Sequence, residues 1–249
     1  SSAASDVYKR QRVLLRGQEV AAHLPNSGRL RELLSPGQPV LLRQARARHR
    51  LTDYDLLMVR LRAQWVSVDA RLPNALFSEA LAEGSLPELR GLTLERSEVQ
   101  VGGSRLDFSL RDELSGRRGC LVEVKSVTLV QQGVARFPDA VTDRGRRHLT
   151  ELRRALSEGQ RAAVVFVIQR ADAHLFALHH ESDPRFAAEL QDAAEAGVEV
   201  YAYGCRVTRS EISLCSPVPV ELYPDQGLGG RDGPPRAWTL GPGRQQGLL

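Results

Sequence analysis

Asp107, Glu123 and Lys125 are the residues of this chain whose types and spacing suit chemistry on a phosphate. Glu123 and Lys125 stand two apart in the apolar run Cys120-Leu121-Val122-Glu123-Val124-Lys125-Ser126-Val127. On a strand they share one face, and Val122 and Val124 take the other. Asp107 lies in a second strand-like stretch, Ser104 to Leu110, entered through Gly102-Gly103 and joined to the first by a short polar connection. Paired as a hairpin, the two stretches bring Asp107 and Glu123 together, and two carboxylates on one face repel unless a cation lies between them. Mg2+ (or Mn2+) suits that place, because Mg2+ takes one or two carboxylates, retained waters and phosphate oxygens. Lys125 would orient or activate an attacking water, or stabilise charge developing on the phosphate. The lysine is itself a signal: the chain has two lysines, Lys9 and Lys125, against 32 arginines, and a compact amine cannot be exchanged freely for a planar guanidinium. The competing readings are an arginine-biased composition that spared one lysine, and an ordinary acid–base pair on a solvated edge strand.

The elements that must position these residues divide the chain in two. Short strand signals at Val13 to Leu15, Glu19 to His23, Pro39 to Arg43, Leu56 to Arg62 and Trp65 to Val68 suit a small OB-like β-barrel over residues 12–73. An α/β pattern follows over 74–223. Asn74 is placed to cap a helix through Ala82, and Phe137-Pro138-Asp139 to open a long helix ending near Ser157. Ala162 to Ile168 reads as a buried central strand, followed by a helix from Pro184 to Ala196 and a strand from Val198 to Tyr203. The net charge of +4 hides an asymmetry: residues 12–73 carry 11 basic and 5 acidic side chains, residues 74–224 carry 18 and 22. Phosphate contacts are therefore expected mainly in the first module and cation-binding carboxylates in the second. Arg43, Arg46, Arg48 and Arg50 alternate with small or polar residues at an expected hairpin tip, either as phosphate contacts or as a merely solvated turn. The turn Pro25-Asn26-Ser27-Gly28, flanked by His23 and Arg29, offers backbone amides that could cradle a phosphate.

Residues 1–11 are expected to be a non-native leader, and the Gly/Pro-rich segment 224–249 a disordered tail. Three cysteines without metal-ligand spacing, and no apolar run near the ~20 residues that span a bilayer, point to a soluble cytoplasmic protein with no membrane partner. The oligomeric state is left open.

The spacing Asp107, fifteen residues, Glu123-Val124-Lys125 resembles the PD-(D/E)xK nuclease superfamily. A wider resemblance runs through His23-Leu24-Pro25-Asn26-Ser27-Gly28-Arg29-Leu30, Leu72-Pro73-Asn74-Ala75-Leu76, Ser104-Arg105-Leu106-Asp107-Phe108, Glu123 to Leu129 and Phe137 to Leu149. These five ordered blocks are similar to the sugar fermentation stimulation protein A family, with Leu24 and Ser27 standing where that family usually has Cys and Thr. The resemblance implies an N-terminal OB-like barrel followed by a PD-(D/E)xK nuclease-like α/β domain that binds DNA. It also implies a third acid from the helix before the core strands, Glu79, for which Glu98 is a rival. Arg144 and His148, four apart on one helix face, become candidates to approach the scissile phosphate. Three functions follow as expectations: a DNA-binding protein with a Mg2+-dependent phosphodiester-hydrolysing site, a non-catalytic DNA-binding regulator of sugar (maltose) metabolism, or a single-strand or RNA binder. Scarce aromatics disfavour the last and favour duplex, weakly sequence-specific contact.

Overall fold

The computed structural model describes residues 9–45, 51–113 and 118–223. The first module holds β1 Arg10–Leu15, β2 Gln18–His23, β3 Val40–Gln44, β4 Tyr54–Leu61 and β5 Gln64–Ser67. They pair in the order β1-β2-β4-β3 with β5 also on β4, an OB-like sheet that does not close into a barrel among the described residues. Arg16 and Gly17 join β1 to β2 with φ of 51° and 83°, the doubly left-handed turn whose twist matches a two-residue hairpin. Ala22, Leu24, Leu30, Leu33, Leu56, Val59, Val66 and Val68 bury against one another as the core of this module.

All five expected strands are present. β1 begins earlier than expected: Arg10 and Gln11, read from sequence as leader, pair with His23 and Ala22, since the alternation of exposed and half-buried positions runs unbroken through Leu15. The remainder of the expected leader through Tyr8, the tail from Pro224, and Arg46, Arg48 and Arg50 lie outside the described residues.

The second module is a six-stranded mixed sheet with helices on both faces. Its elements are α1 Leu72–Ala82, a 3-10 turn Pro87–Leu89, β6 Leu92–Val101, β7 Ser104–Asp112, β8 Arg118–Val127, β9 Val130–Gln131, β10 Val134–Phe137, α2 Asp143–Ser157, β11 Arg161–Ile168, β12 Leu175–Leu178, α3 Pro184–Glu195, β13 Glu199–Val207, β14 Ile212–Pro217 and β15 Val220–Glu221. The main sheet runs β14-β13-β11-β8-β7-β6. β8, β11 and β13 are parallel, and β6, β7 and β14 add antiparallel margins. β11 is buried at every position but its first, as its unbroken apolar run predicts. β15, β12, β10 and β9 form a small second sheet.

α1 lays Leu76, Phe77, Ala80 and Leu81 on one face of the main sheet, against Phe108, Val122, Val124 and Val165, with Phe77 and Phe108 stacked at 5.0 Å between centroids. At roughly 1.5–3 kcal/mol for each large side chain fully buried, this seam fixes the helix firmly. α2 and α3 cover the other face through Leu149, Leu152, Phe186 and Leu190.

Two helix starts differ from expectation. Asn74 does not cap α1: Arg71 holds the cap position, Pro73 occupies the first turn, and Asn74 lies inside the helix. α2 starts at Asp143 rather than Phe137, with Thr142 Oγ1 accepting the Gly145 N–H at 3.0 Å. Phe137 is held extended at the end of β10 instead, paired with Leu178 of β12 and with its ring centroid 5.3 Å from those of Phe166 and Phe186.

Candidate active site

The β7–β8 hairpin forms as expected, and its ladder explains where Asp107 goes. The pairing runs from Arg111 opposite Arg118 to Phe108 opposite Val122 and stops there. One step further, the Val124 N–H donates to Asp107 Oδ2 at 2.8 Å, so a carboxylate takes over from the backbone ladder. Asn74 Nδ2 donates to Asp107 Oδ1, also at 2.8 Å. Both oxygens are thus oriented by protein donors.

Val122 and Val124 pack toward α1, as alternation predicts. Glu123 and Lys125 face the other side, where α2 covers them. Glu123 is only 3% exposed, so the competing reading of an acid–base pair on a solvated edge strand does not hold. Lys125 Nζ donates to Glu123 Oε1 at 2.5 Å, and His148 Nδ1 on α2 contacts the same oxygen. Glu123 Oε2 is buried with no hydrogen-bond partner. Arg144 Nε, one helical turn before His148, donates to His148 Nε2 at 3.3 Å.

The electrostatics separate the two carboxylates. Burial and then the Glu123 charge push Asp107 above its ordinary range, against the Val124 and Asn74 hydrogen bonds and the Lys125 charge. Burial would raise Glu123 as well, but the His148 hydrogen bond and the Lys125 charge together hold it below its usual value. An orphaned carboxylate oxygen, a second buried carboxylate that its neighbour repels, and an adjacent amine are the kinds of group that could hold a hard cation.

Other expected members fall elsewhere. Glu79 is exposed on the part of α1 turned away from its buried face. Glu98 is exposed on β6, 3.5 Å from Arg105. No group of three or more His, Cys, Asp or Glu side chains is arranged to hold a metal ion among the described residues, so neither glutamate completes a three-acid set. The reach from α1 comes from Asn74.

The turn after β2 is also tied up internally. Asn26 Oδ1 accepts the Gly28 N–H at 2.8 Å, Asn26 Nδ2 donates to Val68 O at 3.0 Å, and the Arg29 N–H donates to Asp139 Oδ2 at 2.9 Å. The Gly28 and Arg29 amides are therefore used within the protein, and the Ser27 and Arg29 side chains remain exposed. His23 is half-buried at the end of β2, opposite Arg10 and Asp55. Asp55, itself 2% exposed, accepts from Arg43 Nη2 at 3.2 Å and Arg71 Nη2 at 3.3 Å. Arg43 keeps 57% of its side chain exposed. Along α2, Arg146, Arg153 and Arg154 pair with Asp143, Asp183, Glu189, Glu151 and Glu158. Arg144 is exposed and His148 is 3% exposed, so the two do not present one open face.

A buried relay joins the modules directly behind Lys125. Ser67 Oγ donates to Gln169 Oε1 at 2.9 Å, Gln169 Nε2 donates to Ser126 Oγ at 2.9 Å, and the Ser67 N–H donates to Gln169 O at 3.0 Å. Sequence reading passed over Asn74 as a site residue and Gln169 altogether. Asn74 carried a signal, its place in the Leu-Pro-Asn block, whereas Gln169 carried only its position after an apolar strand.

Residues 71–211 match the family described as Sugar fermentation stimulation protein RE domain, and residues 8–68 match the SfsA N-terminal OB domain. A sugar fermentation stimulation protein homolog of Moorella thermoacetica is 49% identical over 207 residues, covering 83% of this chain and 88% of the relative. One from Methanothermobacter thermautotrophicus is 41% identical over 206 residues, covering 83% and 85%. Among solved structures, that of Pyrococcus furiosus SfsA in complex with Ca2+ superposes with a TM-score of 0.79 at 31% identity, over 86% of this chain and 91% of that one.

Proposed function

The chain belongs to the sugar fermentation stimulation protein family, and on that footing we propose that it binds DNA and hydrolyses phosphodiester bonds with a divalent cation held by Asp107 and Glu123. The observation that carries this reading is Glu123 Oε2, a buried carboxylate oxygen without a partner, beside the Lys125 amine. The Pyrococcus furiosus relative, described as a Ca2+ complex, supports a divalent ion in the family; Mg2+ or Mn2+ is the working ion of this proposal. When bound, such an ion polarises a phosphate oxygen and lowers the pKa of a coordinated water.

The chain supplies the rest. Asn74 and the Val124 amide hold Asp107 in one orientation, so that little reorganisation accompanies binding. Lys125 turns from Glu123 toward the attacking water or a phosphate oxygen. Contacts to the duplex fall to the exposed guanidinium groups of Arg29 and Arg43, with Arg46, Arg48 and Arg50 extending the same basic module. Such contacts position the backbone without reading sequence.

A second reading, a non-catalytic DNA-binding regulator of sugar (maltose) use, is favoured by one observation: no three-ligand His/Cys/Asp/Glu set gathers among the described residues. A cleavage assay on linear, supercoiled and single-stranded DNA, with Mg2+, Mn2+ or chelator, separates the two. Metal-dependent products that vanish in Lys125→Ala while DNA binding persists support hydrolysis. Binding without products on any substrate leaves the regulator.

A further inference from the structure

Resting on the cation site proposed above, we propose that Arg144 and His148 are positioning residues for Glu123 rather than contacts to DNA. The chain of donors decides this. A guanidinium only donates, so the approach of Arg144 Nε–H to His148 Nε2 requires a lone pair on that nitrogen. The ring proton then sits on Nδ1, the nitrogen that faces Glu123 Oε1, and His148 donates to the carboxylate. Arg144 thereby sets the tautomer, and His148 conveys it as a fixed rotamer of Glu123.

The convergence on one oxygen gives the arrangement its purpose. His148 and Lys125 both meet Oε1, and neither hydrogen-bonds Oε2, which is left buried and unpartnered. Were Lys125 the sole donor, its departure toward a phosphate would free Glu123 to rotate. With His148 in place, the amine can leave while Oε1 stays held and Oε2 keeps its direction. The support for His148 is rigid: the ring is 3% exposed, and Leu149 and Leu152 on the same helix are fully buried in the core. Arg144, on the solvent side, is the replaceable end of the relay.

Two readouts on the full chain test the proposal. Imidazole nitrogen NMR should find the His148 proton on Nδ1 in the wild type, and Arg144→Met should shift the ring toward the Nε2–H form. Mn2+ titration without DNA should show His148→Leu binding about 10–100-fold more weakly. His148→Asn, whose amide nitrogen can stand near the place of Nδ1, should recover part of that loss, and Lys125→Met should not weaken binding. DNA affinity and its salt slope should be unchanged in Arg144→Met. An Nε2–H ring in the wild type, or undiminished Mn2+ affinity in His148→Leu, overturns the relay, as does a reduced salt slope in Arg144→Met with the tautomer unmoved. A wild type that takes up no Mn2+ while His148 carries its proton on Nδ1 sinks the cation site and leaves the relay standing.

Discussion

Ser67 and Gln169 lie 102 residues apart in sequence and hydrogen-bond at 2.9 Å, each fully buried, so the OB-like module is fastened to the α/β module at the strand end that carries Lys125. Replacing Gln169 with Leu keeps the volume near its original value but leaves the Ser67 and Ser126 hydroxyls without their shared partner. A loss of about 1–3 kcal/mol is expected for a buried polar group so stranded, read as a lower urea midpoint. A midpoint unchanged from wild type would show that the relay holds nothing.

Asp107→Asn should abolish metal-dependent cleavage yet leave the fold at least as stable at neutral pH. Burial and Glu123 push the Asp107 carboxyl up, so its ionised form is disfavoured in the folded state and a neutral side chain relieves that cost. Each 1 kcal/mol gained would raise Tm by about 2–4 °C in a chain of this size. A substantial fall in Tm would mean that the charge is needed for folding.

Asp183 should give the chain an acid-sensitive joint. Its carboxylate accepts from Thr142 N at 2.9 Å and Phe186 N at 3.0 Å, capping α3 and tethering the entry to α2. Burial opposes the charge, but these amides and Arg146 hold the carboxyl below its usual range. A lowered folded pKa stabilises above the unfolded value and is lost as pH falls through the folded one. Asp183→Asn should therefore cost about 1–2 kcal/mol at neutral pH, with the gap to wild type narrowing below about pH 4. A gap that stays constant to pH 3 would exclude this account.

Gly28 and Asp139 should be coupled. A Cβ at Gly28 would stand 2.3 Å from Asp139 Oδ2, so Gly28→Ala must displace that carboxylate from the Arg29 amide. The single change is expected to cost about 1 kcal/mol, whereas adding it to Asp139→Ala should cost little more. Full additivity in the double-mutant cycle would contradict the contact.

Arg29→Ala should weaken DNA binding about equally for all sequences and reduce the salt slope by about one. An unchanged slope would place the phosphate contacts elsewhere on the basic module.

That Glu123 and Lys125 share a face could be read directly because strand alternation ties side-chain direction to position, and β11 because an unbroken apolar run has few other uses. Their surroundings could not. Asn74 reads from sequence as a helix cap, and only the third dimension shows it inside α1 with its amide spent on Asp107. β10 and β12 are four-residue strands paired in parallel, with α2 and β11 between them in sequence, too short for a period to register. Glu79 fits an acidic pattern on α1, but its helix turns it to solvent. His148 looked like a partner of Arg144 on an exposed face because i,i+4 spacing gives adjacency and says nothing of which of the pair is covered.

Among the described residues β6 is the outer strand of the main sheet, ten residues long and exposed through its middle, the kind of edge on which a second sheet could grow. Its ladder is interrupted by a bulge between Leu94 and Arg96, Glu98 adopts a φ of 55°, and Glu95, Arg96 and Glu98 crowd the same stretch with charge. These features frustrate strand addition. The sheet that carries the candidate site is thereby guarded against self-templated aggregation at its longest open margin.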